Sequence, residues 1–402
     1  MEIVTEKDCY SIMDKKLRGK RFDVISFVLQ PFSEIMGFHG DHAMLKILAK
    51  VEDKEKEYSF FVKIATKSQL VFEEYFGPMR FFFKEHVLMT NILDELQAQV
   101  TKKLTAKCYL SKMDKFIVLE NLQEAGFEVI RKKKLDLTHA KIAVETFADF
   151  HAASFILESK GTKIDEKYPE IIYETFFVDF PDRDRYLLRS CDIGVRKLAP
   201  KCSSGSSNIQ DEVFTKVAKR VAELAKPSQK YKNVMCQGDP WGNNIMYKYH
   251  GDVPKEGILV DFQTSRFVPP ALELMQFLYI ATSKSFREEN SKTLMDVYYN
   301  RLGRTLDAAG LDVASYLSRK EFVESCSYYK EFGISAGLYY AYITRVPGKY
   351  LGPAVQDEQV FLDFMIGGVP TLPLEAIQDE DYKTSLVDAI NDAIEFYTSA
   401  SR

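Results

Sequence analysis

The spacing of apolar residues changes about a third of the way along this 402-residue chain. Up to residue 121 it favours β-strands, and from residue 122 onward it is mostly helical. A strand-rich segment followed by a helical segment is typical of an α+β protein in which the two kinds of element are segregated. We therefore predict two lobes, an N-terminal lobe over residues 1–121 and a C-terminal lobe over residues 122–402.

The N-terminal lobe is predicted to be an antiparallel sheet with one helix. Three β-branched and aromatic runs, FDVISFVLQ, HAMLKILAKV and YSFFVKIA, are separated by polar turns and predict consecutive strands. The segment GPMRFFFKEHVLMTNILDELQ then switches to helical spacing, with Phe81, Glu85, Leu88 and Ile92 near one face. A further strand, KFIVLENL, completes the lobe.

The C-terminal lobe is predicted to be helical apart from two stretches. Amphipathic patterns at 211–226, 292–309 and 321–346 indicate helices. Strands are indicated only within MCQGDPWGNNIMYKY, which begins at Met235, and within GILVDF, which ends at Phe262.

Composition narrows the class of protein. With 46% hydrophobic and 28% charged residues, the chain resembles an ordinary globular protein. A net charge of -4 and a pI near 6.0 give no electrostatic footprint for nucleic acid. No apolar run approaches the roughly 20 residues that cross a bilayer. Six cysteines without a CxxC pair suit reduced thiols better than disulfides or zinc. We expect a cytoplasmic protein without nucleic-acid or membrane partners, and its oligomeric state stays open.

Polar residues in the two strand-bearing stretches have the spacing of a phosphoryl-transfer site. Such a site needs a carboxylate to accept the proton of the attacking hydroxyl, and oxygen ligands for magnesium. Asp239 and Asn244 are five positions apart, as are the catalytic Asp and the magnesium-binding Asn of kinases. Asp261 follows an apolar strand in VDFQ, where protein kinases carry Asp-Phe-Gly. The spacing therefore predicts a kinase with one base and two metal ligands.

These stretches resemble those of a known family. QGDPWGNNIM followed by LVDFQ is similar to the His-Gly-Asp-x-Trp-x-Asn-Asn-Ile-Met and Val-Asp-Phe-Gln of the ecdysteroid kinase-like proteins. That family is similar to choline kinases and aminoglycoside phosphotransferases. GFHGDHAMLKI, FFVKIA, FFFKEH, VLENL and FADFHAASF match in the family's order. The resemblance implies a protein kinase-like fold that uses ATP and Mg²⁺ to phosphorylate a small hydroxylated molecule.

The resemblance assigns roles to residues of the C-terminal lobe. Asp239 is expected to be the general base, and Asn244 and Asp261 are expected to bind the metal. Asn243 is expected to fix the loop by bonding to backbone groups, as Asn side chains often do. Trp241 is expected to be a packing anchor rather than a ligand contact.

In the first lobe, the resemblance makes Lys63 in FFVKIA the lysine that grips the nucleotide phosphates. A snorkelling edge lysine is the alternative. Glu85, on the following helix, is the expected ion-pair partner of Lys63, and Glu73 and Glu74 compete for that role.

Two further segments are assigned to the nucleotide. Gly37 and Gly40, in GFHGDH, could bring backbone N–H groups over the phosphates, although a simple hairpin turn would use the same residues. The segment VLENL resembles the hinge between the lobes, so backbone groups near Glu120 and Leu122 are expected to meet the adenine.

The chain departs from the family pattern at two positions. Gln237 stands where most relatives have His, and an amide can preserve a hydrogen bond there without the imidazole. Glu273 replaces an Asp at the head of the next helix, where a structural role near the helix N-terminus is expected.

The acceptor is predicted to be a small molecule. A helical pattern resumes near Leu272, soon after Asp261, which leaves little room for the peptide-binding segment of a protein kinase. The aromatic-rich segment SYYKEFGISAGLYYAYI could line a pocket for a steroid-like or other lipophilic alcohol, or could simply pack in the core. We predict γ-phosphoryl transfer to such an alcohol, in hormone inactivation or detoxification. A nucleotide-binding pseudokinase is the alternative, and a protein kinase or a hydrolase is disfavoured.

Overall fold

The structure, a computed structural model, describes most of the chain. The described residues are 3–32, 41–65, 80–113, 115–130, 135–178, 186–202 and 207–399. Within these ranges, no helix combines the length and the apolar character needed to span a membrane.

The N-terminal lobe is a five-stranded antiparallel sheet covered by helices. Its elements are α1 (Glu6–Leu17), β1 (Phe22–Pro31), β2 (Asp41–Val51), β3 (Lys54–Ile64), α2 (Phe81–Val87), α3 (Leu93–Gln97), β4 (Cys108–Lys112) and β5 (Phe116–Glu120). A π-helical turn over Leu88–Ile92 joins α2 to α3. The strand order is β1-β2-β3-β5-β4. The four predicted strands and the predicted helix are confirmed, and α1 and β4 add to them.

The central strands of the sheet bury side chains on both faces. Successive side chains of a strand point to opposite faces, so Val118 packs with α1 in a small core whereas Ile117 joins the larger core that includes α2. In the same way, Val62 of β3 lies on the α1 side of the sheet. Lys63, the next residue, therefore points toward α2. This alternation places a lysine opposite the helix that carries Glu85.

The C-terminal lobe is mostly helical. Its helices are α4 (Leu137–Ser159), α5 (Ile164–Lys167), α6 (Leu187–Cys202), α7 (Ser207–Leu224), α8 (Pro270–Ala281), α9 (Lys284–Asp307), α10 (Val313–Tyr316), α11 (Arg319–Thr344), α12 (Gly348–Gln356), α13 (Glu358–Met365), α14 (Thr371–Ala376) and α15 (Glu380–Ser399). The predicted helical patterns fall in α7, α9 and α11. The boundary between the lobes at residue 121 stays a prediction.

Short strands interrupt this helical lobe. Three of them lie at the two stretches that the sequence indicates, whereas the first and the last lie where no strand was predicted. They are β6 (Phe127–Glu128), β7 (Val234–Cys236), β8 (Ile245–His250), β9 (Val253–Leu259) and β10 (Arg266–Val268). β7 pairs with β10, and β8 lies between β6 and β9.

Helix α11 is held close to α8. A Cβ atom on Gly333 would lie 2.7 Å from the carbonyl oxygen of Met275, so only glycine permits this approach. Tyr339 and Tyr342 of α11 are fully buried. The helix is thus fixed in the core beside the loop that follows β7.

Candidate active site

Two antiparallel pairs of strands bring the separated polar residues together. Asp239 lies between β7 and β8, and Asp261 lies between β9 and β10. Because β7 pairs with β10 and β8 pairs with β9, the two loops meet. The N–H of Val260 also donates to the carbonyl oxygen of Asn244 at 3.0 Å. The two halves of the predicted site are therefore one structural unit.

The loop that carries Asp239 depends on the glycine before it. Gly238 has a φ of +89°, and a Cβ atom there would lie 2.1 Å from the carbonyl oxygen of Thr264. Its N–H donates to Oε1 of Glu273 at 2.6 Å. Its carbonyl oxygen accepts hydrogen bonds from Arg266 at 2.6 Å and from Gln276 at 3.1 Å. Both backbone groups of Gly238 are thus satisfied, as buried peptide groups require.

The carboxylate of Asp239 is held at both oxygens. Asn244 donates to Oδ2 at 2.8 Å, and the hydroxyl of Tyr340 donates to Oδ1 at 2.7 Å. Removal of water by the surrounding protein, with the nearby charge of Asp261, raises the pKa of Asp239 to about 6. The two hydrogen bonds oppose this rise because they favour the ionised form. Asp239 is therefore a carboxylate that can exchange a proton near neutral pH.

Asn244 and Asp261 have the donor groups that Mg²⁺ prefers. The amide nitrogen of Asn244 faces Asp239, and its amide oxygen accepts no hydrogen bond from the described residues. Oδ1 of Asp261 is shielded from solvent and accepts no hydrogen bond from them, although Nζ of Lys63 lies 3.2 Å away. Hard oxygen ligands of this kind suit a divalent cation. The two side chains therefore fit the metal that the sequence implies.

Asp261 occupies a strained backbone position. Its φ is +61°, in the left-handed region that few residues other than glycine adopt. Such conformations persist when the surroundings enforce them, and they are enriched at functional sites. The conformation places the carboxylate toward Lys63 and leaves the carbonyl oxygen to accept from the side chain of Gln237.

Lys63 of β3 and Glu85 of α2 form a buried ion pair within the N-terminal lobe. Nζ of Lys63 lies 2.8 Å from Oε1 and 3.0 Å from Oε2 of Glu85. Burial alone would lower the pKa of Lys63, but the carboxylates of Asp261 and Glu85 raise it above its usual value. The N–H of Phe262 also donates to Glu85 at 3.3 Å. The pair thus connects α2 to the segment that carries Asp261.

The side chain of Gln237 makes three hydrogen bonds that join the two loops of the site. Its amide nitrogen donates to the carbonyl oxygens of Val260 at 3.0 Å and Asp261 at 2.5 Å. Its amide oxygen accepts the N–H of Asp239 at 2.8 Å. An amide can donate and accept at once, as a neutral imidazole can. The residue that departs from the family pattern therefore ties the two loops together.

Glu273 does more than stabilise a helix terminus. It lies in the first turn of α8, as expected, and its Oε1 accepts the N–H of Gly238. Its Oε2 lies 2.8 Å from Nε2 of His151, whose Nδ1 lies 2.8 Å from the hydroxyl of Tyr298. These buried groups hold Glu273 in place, and Glu273 in turn binds the loop at the N–H of Gly238.

The predicted role of Asn243 is wrong. Its side chain is exposed and makes no hydrogen bond to the described residues. The bond to the loop backbone comes instead from Asn244, whose amide nitrogen donates to the carbonyl oxygen of Asp239 at 3.0 Å. The 3₁₀ turn over Gly242–Asn244 explains the exchange, because it directs the third residue back into the loop. Trp241 is half-buried and packs against the core, which agrees with a packing anchor, but it also lines a cavity, so the predicted lack of a ligand contact stays a prediction.

The predicted hinge residues lie at the end of the sheet. Glu120 is the last residue of β5, and its N–H donates to the carbonyl oxygen of Lys107 at 2.9 Å. The carbonyl oxygen of Leu122 accepts the N–H of Phe127 at 2.9 Å. Within the described ranges, the N–H of Leu122 donates to no acceptor.

Some sequence predictions concern residues outside the described ranges. Gly37 and Gly40, the expected phosphate loop, and Glu73 and Glu74, the competing partners of Lys63, all belong to this group. Their predicted roles stay predictions.

Two residues that contact the loop were not indicated by the sequence. Tyr340 lies 101 residues after Asp239 in a helix with several tyrosines, so no spacing distinguishes it. Arg266 is fully buried at the start of β10, where it donates to Gly238 and pairs with Glu174 at 3.1 Å. A buried arginine in an apolar strand is itself a signal, because such residues require partners.

A cavity of about 350 Å³ lies beside the loop. Trp241 and Asn243, in the turn that follows Asp239, line part of it. Helix α11 contributes small residues such as Gly337 and Ala341, whereas its fully buried tyrosines lie in the core. The segment for which the sequence left both a pocket wall and core packing open therefore does both: it borders the cavity through residues such as Ile334 and Gly337, and its tyrosines pack in the core.

Comparison with known proteins places the chain in a family. The family model of the ecdysteroid kinase-like family matches residues 40–311, and the chain belongs to that family. It has the α+β, two-lobed protein kinase-like fold that the sequence predicts. No curated protein matches the chain.

Several solved structures are similar to the chain over most of its length. One is a Ralstonia eutropha protein assigned to the aminoglycoside phosphotransferases, with 13% identity, a TM-score of 0.42 and coverage of 96% of this chain and 98% of that chain. Another is the GDP complex of aminoglycoside 2'-phosphotransferase-IIIa, with 11% identity, a TM-score of 0.40 and coverage of 94% and 99%. A third is a microcompartment-associated aminopropanol kinase, with 12% identity, a TM-score of 0.39 and coverage of 84% and 98%.

Proposed function

We propose that this protein is a small-molecule kinase that transfers the γ-phosphoryl group of ATP to the hydroxyl of a steroid-like or other lipophilic alcohol. The observation that supports it best is the convergence of two halves of a kinase site. The base candidate Asp239 and the metal-ligand candidates Asn244 and Asp261 meet the ion pair of Lys63 and Glu85. Membership of the ecdysteroid kinase-like family supports the same reaction.

In this proposal, Asp239 accepts the proton of the alcohol. The alcohol oxygen forms a bond to the γ-phosphorus, and the bond from that phosphorus to the bridging oxygen breaks. Its electron pair leaves with ADP. Lys63 holds the phosphates, and Glu85 keeps Lys63 in place. The N–H of Leu122 is the backbone donor offered to the adenine.

Asn244 and Asp261 are the residues that would hold Mg²⁺. Bound there, the ion would neutralise charge on the phosphates. The amide oxygen of Asn244 and the shielded Oδ1 of Asp261 are the atoms that support this assignment.

The cavity beside the loop is the proposed site for the body of the acceptor. Its volume of about 350 Å³ falls in the range of small-molecule sites. Apolar side chains such as Leu135, Trp241 and Ile334 share the lining with hydroxyl-bearing ones such as Thr282 and with charged ones such as Arg287 and Asp392. This mixture suits an apolar body that carries hydroxyl groups. Phosphorylation would add about 1.5 to 2 negative charges and stop passive membrane passage, as hormone inactivation or detoxification would require.

Two alternatives make different predictions. A pseudokinase would bind nucleotide without turnover, but Gln237, the residue that raised this possibility, keeps three hydrogen bonds at the site. A protein kinase would need a platform for a peptide, and α8 begins at Pro270, soon after Asp261. The predicted cytoplasmic location stays a prediction.

The test is a screen for phosphorylated product. The protein is incubated with ATP and Mg²⁺ and with a library of hydroxylated steroids and plant phenolics, and products are detected by mass spectrometry. A matched arm contains EDTA. We expect a mass gain of one phosphate on at least one alcohol, and none with EDTA. Nucleotide binding without any product would favour the pseudokinase, and labelled peptides would favour the protein kinase.

A further inference from the structure

Tyr340 connects a distant helix to the candidate base. Its hydroxyl donates to Oδ1 of Asp239 at 2.7 Å, and its side chain is only 4% exposed. Asn244 donates to the other oxygen, Oδ2, at 2.8 Å. The carboxylate is therefore held from two sides, by its own loop and by α11.

The ring of Tyr340 is itself held in place. The ring of Phe176 lies 5.3 Å from it, inclined at 33°, and that of Phe177 lies 6.4 Å away. The backbone of α11 is fixed against α8, where Gly333 leaves no room for a side chain. A side chain locked by packing can fix a functional group to within a fraction of an ångström.

The nearby charged groups already have partners. Asp261 and Arg266 lie close enough to act on the charge of Asp239, and Arg266 and Glu174 lie close enough to act on Tyr340. Arg266 pairs with Glu174 at 3.1 Å, and Asp261 lies 3.2 Å from a lysine of β3. The hydroxyl of Tyr340 is thus directed to Asp239.

These bonds leave the carboxylate able to receive an alcohol. An ionised carboxylate offers about four acceptor sites. The side chains of Tyr340 and Asn244 occupy two of them. The remaining sites are fixed in direction because each oxygen is held.

We propose that Tyr340 is a positioning residue for phosphoryl transfer: its hydroxyl fixes Oδ1 of Asp239 so that the open acceptor sites of the carboxylate face the incoming alcohol. The inference rests on the function proposed above. Tyr340 keeps its proton throughout, and the proton of the alcohol passes to Asp239 as the bond from oxygen to the γ-phosphorus forms. Without the tyrosine hydroxyl, the carboxylate can rotate, and fewer bound alcohol molecules are aligned for attack.

Steady-state kinetics of Tyr340→Phe test this inference. The control is Tyr339→Phe, because Tyr339 is the preceding residue, is also buried, and directs its hydroxyl to Asp192 at 3.4 Å. We expect kcat to fall about 10- to 100-fold in Tyr340→Phe, the loss typical of a hydrogen bond to a charged group. KM for ATP and for the alcohol should change less than about twofold, because the loss arises after binding. The control should keep the wild-type kcat, and thermal unfolding should show that both variants fold.

A kcat for Tyr340→Phe equal to that of the wild type overturns the inference. A fall in kcat accompanied by a rise in both KM values and a lower Tm also overturns it, because that pattern indicates a merely structural role. Absence of transfer by the wild type overturns the proposed function, and this inference with it. If the wild type transfers phosphate and Tyr340→Phe does so equally well, the positioning role fails while the proposed function stands.

Discussion

The ammonium group of Lys63 lies within 3.0 Å of both carboxylate oxygens of Glu85, although the two residues are 22 positions apart and belong to different elements. The side chains are 10% and 3% exposed. The pair is therefore an internal charge contact between a strand and a helix. A buried pair of this kind destabilises the protein strongly when one partner is removed, because the other charge remains buried.

We expect Lys63→Met to lower the free energy of unfolding by about 3 kcal/mol. The loss leaves Glu85 and Asp261 without the cation that lies between them. The double variant Lys63→Met/Glu85→Leu should recover part of that loss, since it removes the stranded carboxylate. Urea unfolding measures all three proteins. The account is contradicted if adding Glu85→Leu to Lys63→Met lowers the free energy of unfolding by as much again as Lys63→Met lowered it in the wild type.

The rate should depend on pH through Asp239. A base acts only when ionised, and the pKa of Asp239 is raised to about 6, chiefly by desolvation. We therefore expect kcat/KM to be level at higher pH and to fall as the pH drops through about 6. Nucleotide binding measured at the same pH values is the control. A level profile down to about pH 4 would show that the carboxyl has an ordinary pKa or is not the base.

Gln237 should be needed for its hydrogen bonds rather than for a charge. Gln237→Ala leaves the N–H of Asp239 and the carbonyl oxygens of Val260 and Asp261 without this partner, and we expect kcat/KM to fall about tenfold or more. Gln237→His, which restores the residue usual in relatives, should retain activity within about tenfold. Turnover by Gln237→Ala at the wild-type rate would refute this role.

Lys84 should make stability depend on pH. Its side chain is fully buried on α2, where Nζ donates to the carbonyl oxygen of Tyr173. The pKa of Lys84 is lowered from 10.5 to about 7, chiefly by burial; the charge of Glu174 opposes this change, and that of Arg266 adds to it. Between these two pKa values the unfolded chain binds one more proton than the native state, so stability rises with pH.

The test compares the free energy of unfolding of the wild type with that of Lys84→Met, which has no titrating group at this position. We expect the wild type to gain about 1 kcal/mol per pH unit relative to the variant between about pH 7.5 and 9.5. Lys320→Met, at an exposed position of α11, is the matched control and should follow the wild type. A constant difference between wild type and Lys84→Met over this range would rule out the lowered pKa.

Sequence patterns predicted the long elements, and they related the candidate site residues that the structure places together, because these signals are local. Asp239 and Asn244 share one loop, and Asp261 directly follows an apolar strand, so spacing alone related them. Helix α1 also had a local signal. Thr5 and Asp8 form a capping box ahead of its buried residues, the pattern that marks a helix start.

Other features depend on tertiary packing. Nothing in the sequence around Tyr340 distinguishes it from its neighbour Tyr339, because the packing of α11 decides which hydroxyl reaches Asp239. The exchange of roles between Asn243 and Asn244 has the same origin, since a single 3₁₀ turn determines which amide points inward. A pattern of residue types does not determine which of two adjacent residues in a helix or turn points into the site.

The most direct test of the proposed function compares Asp239→Asn with the wild type in Mg²⁺-dependent phosphorylation of an alcohol identified by the screen. Asparagine keeps the shape of the side chain but cannot accept the proton. We predict a fall in kcat of about 10²- to 10⁴-fold, with MgATP affinity unchanged within about twofold. Asp307→Asn, at an exposed residue at the end of α9, should match the wild type. Equal kcat values for Asp239→Asn and the wild type would contradict the assignment of Asp239 as the base.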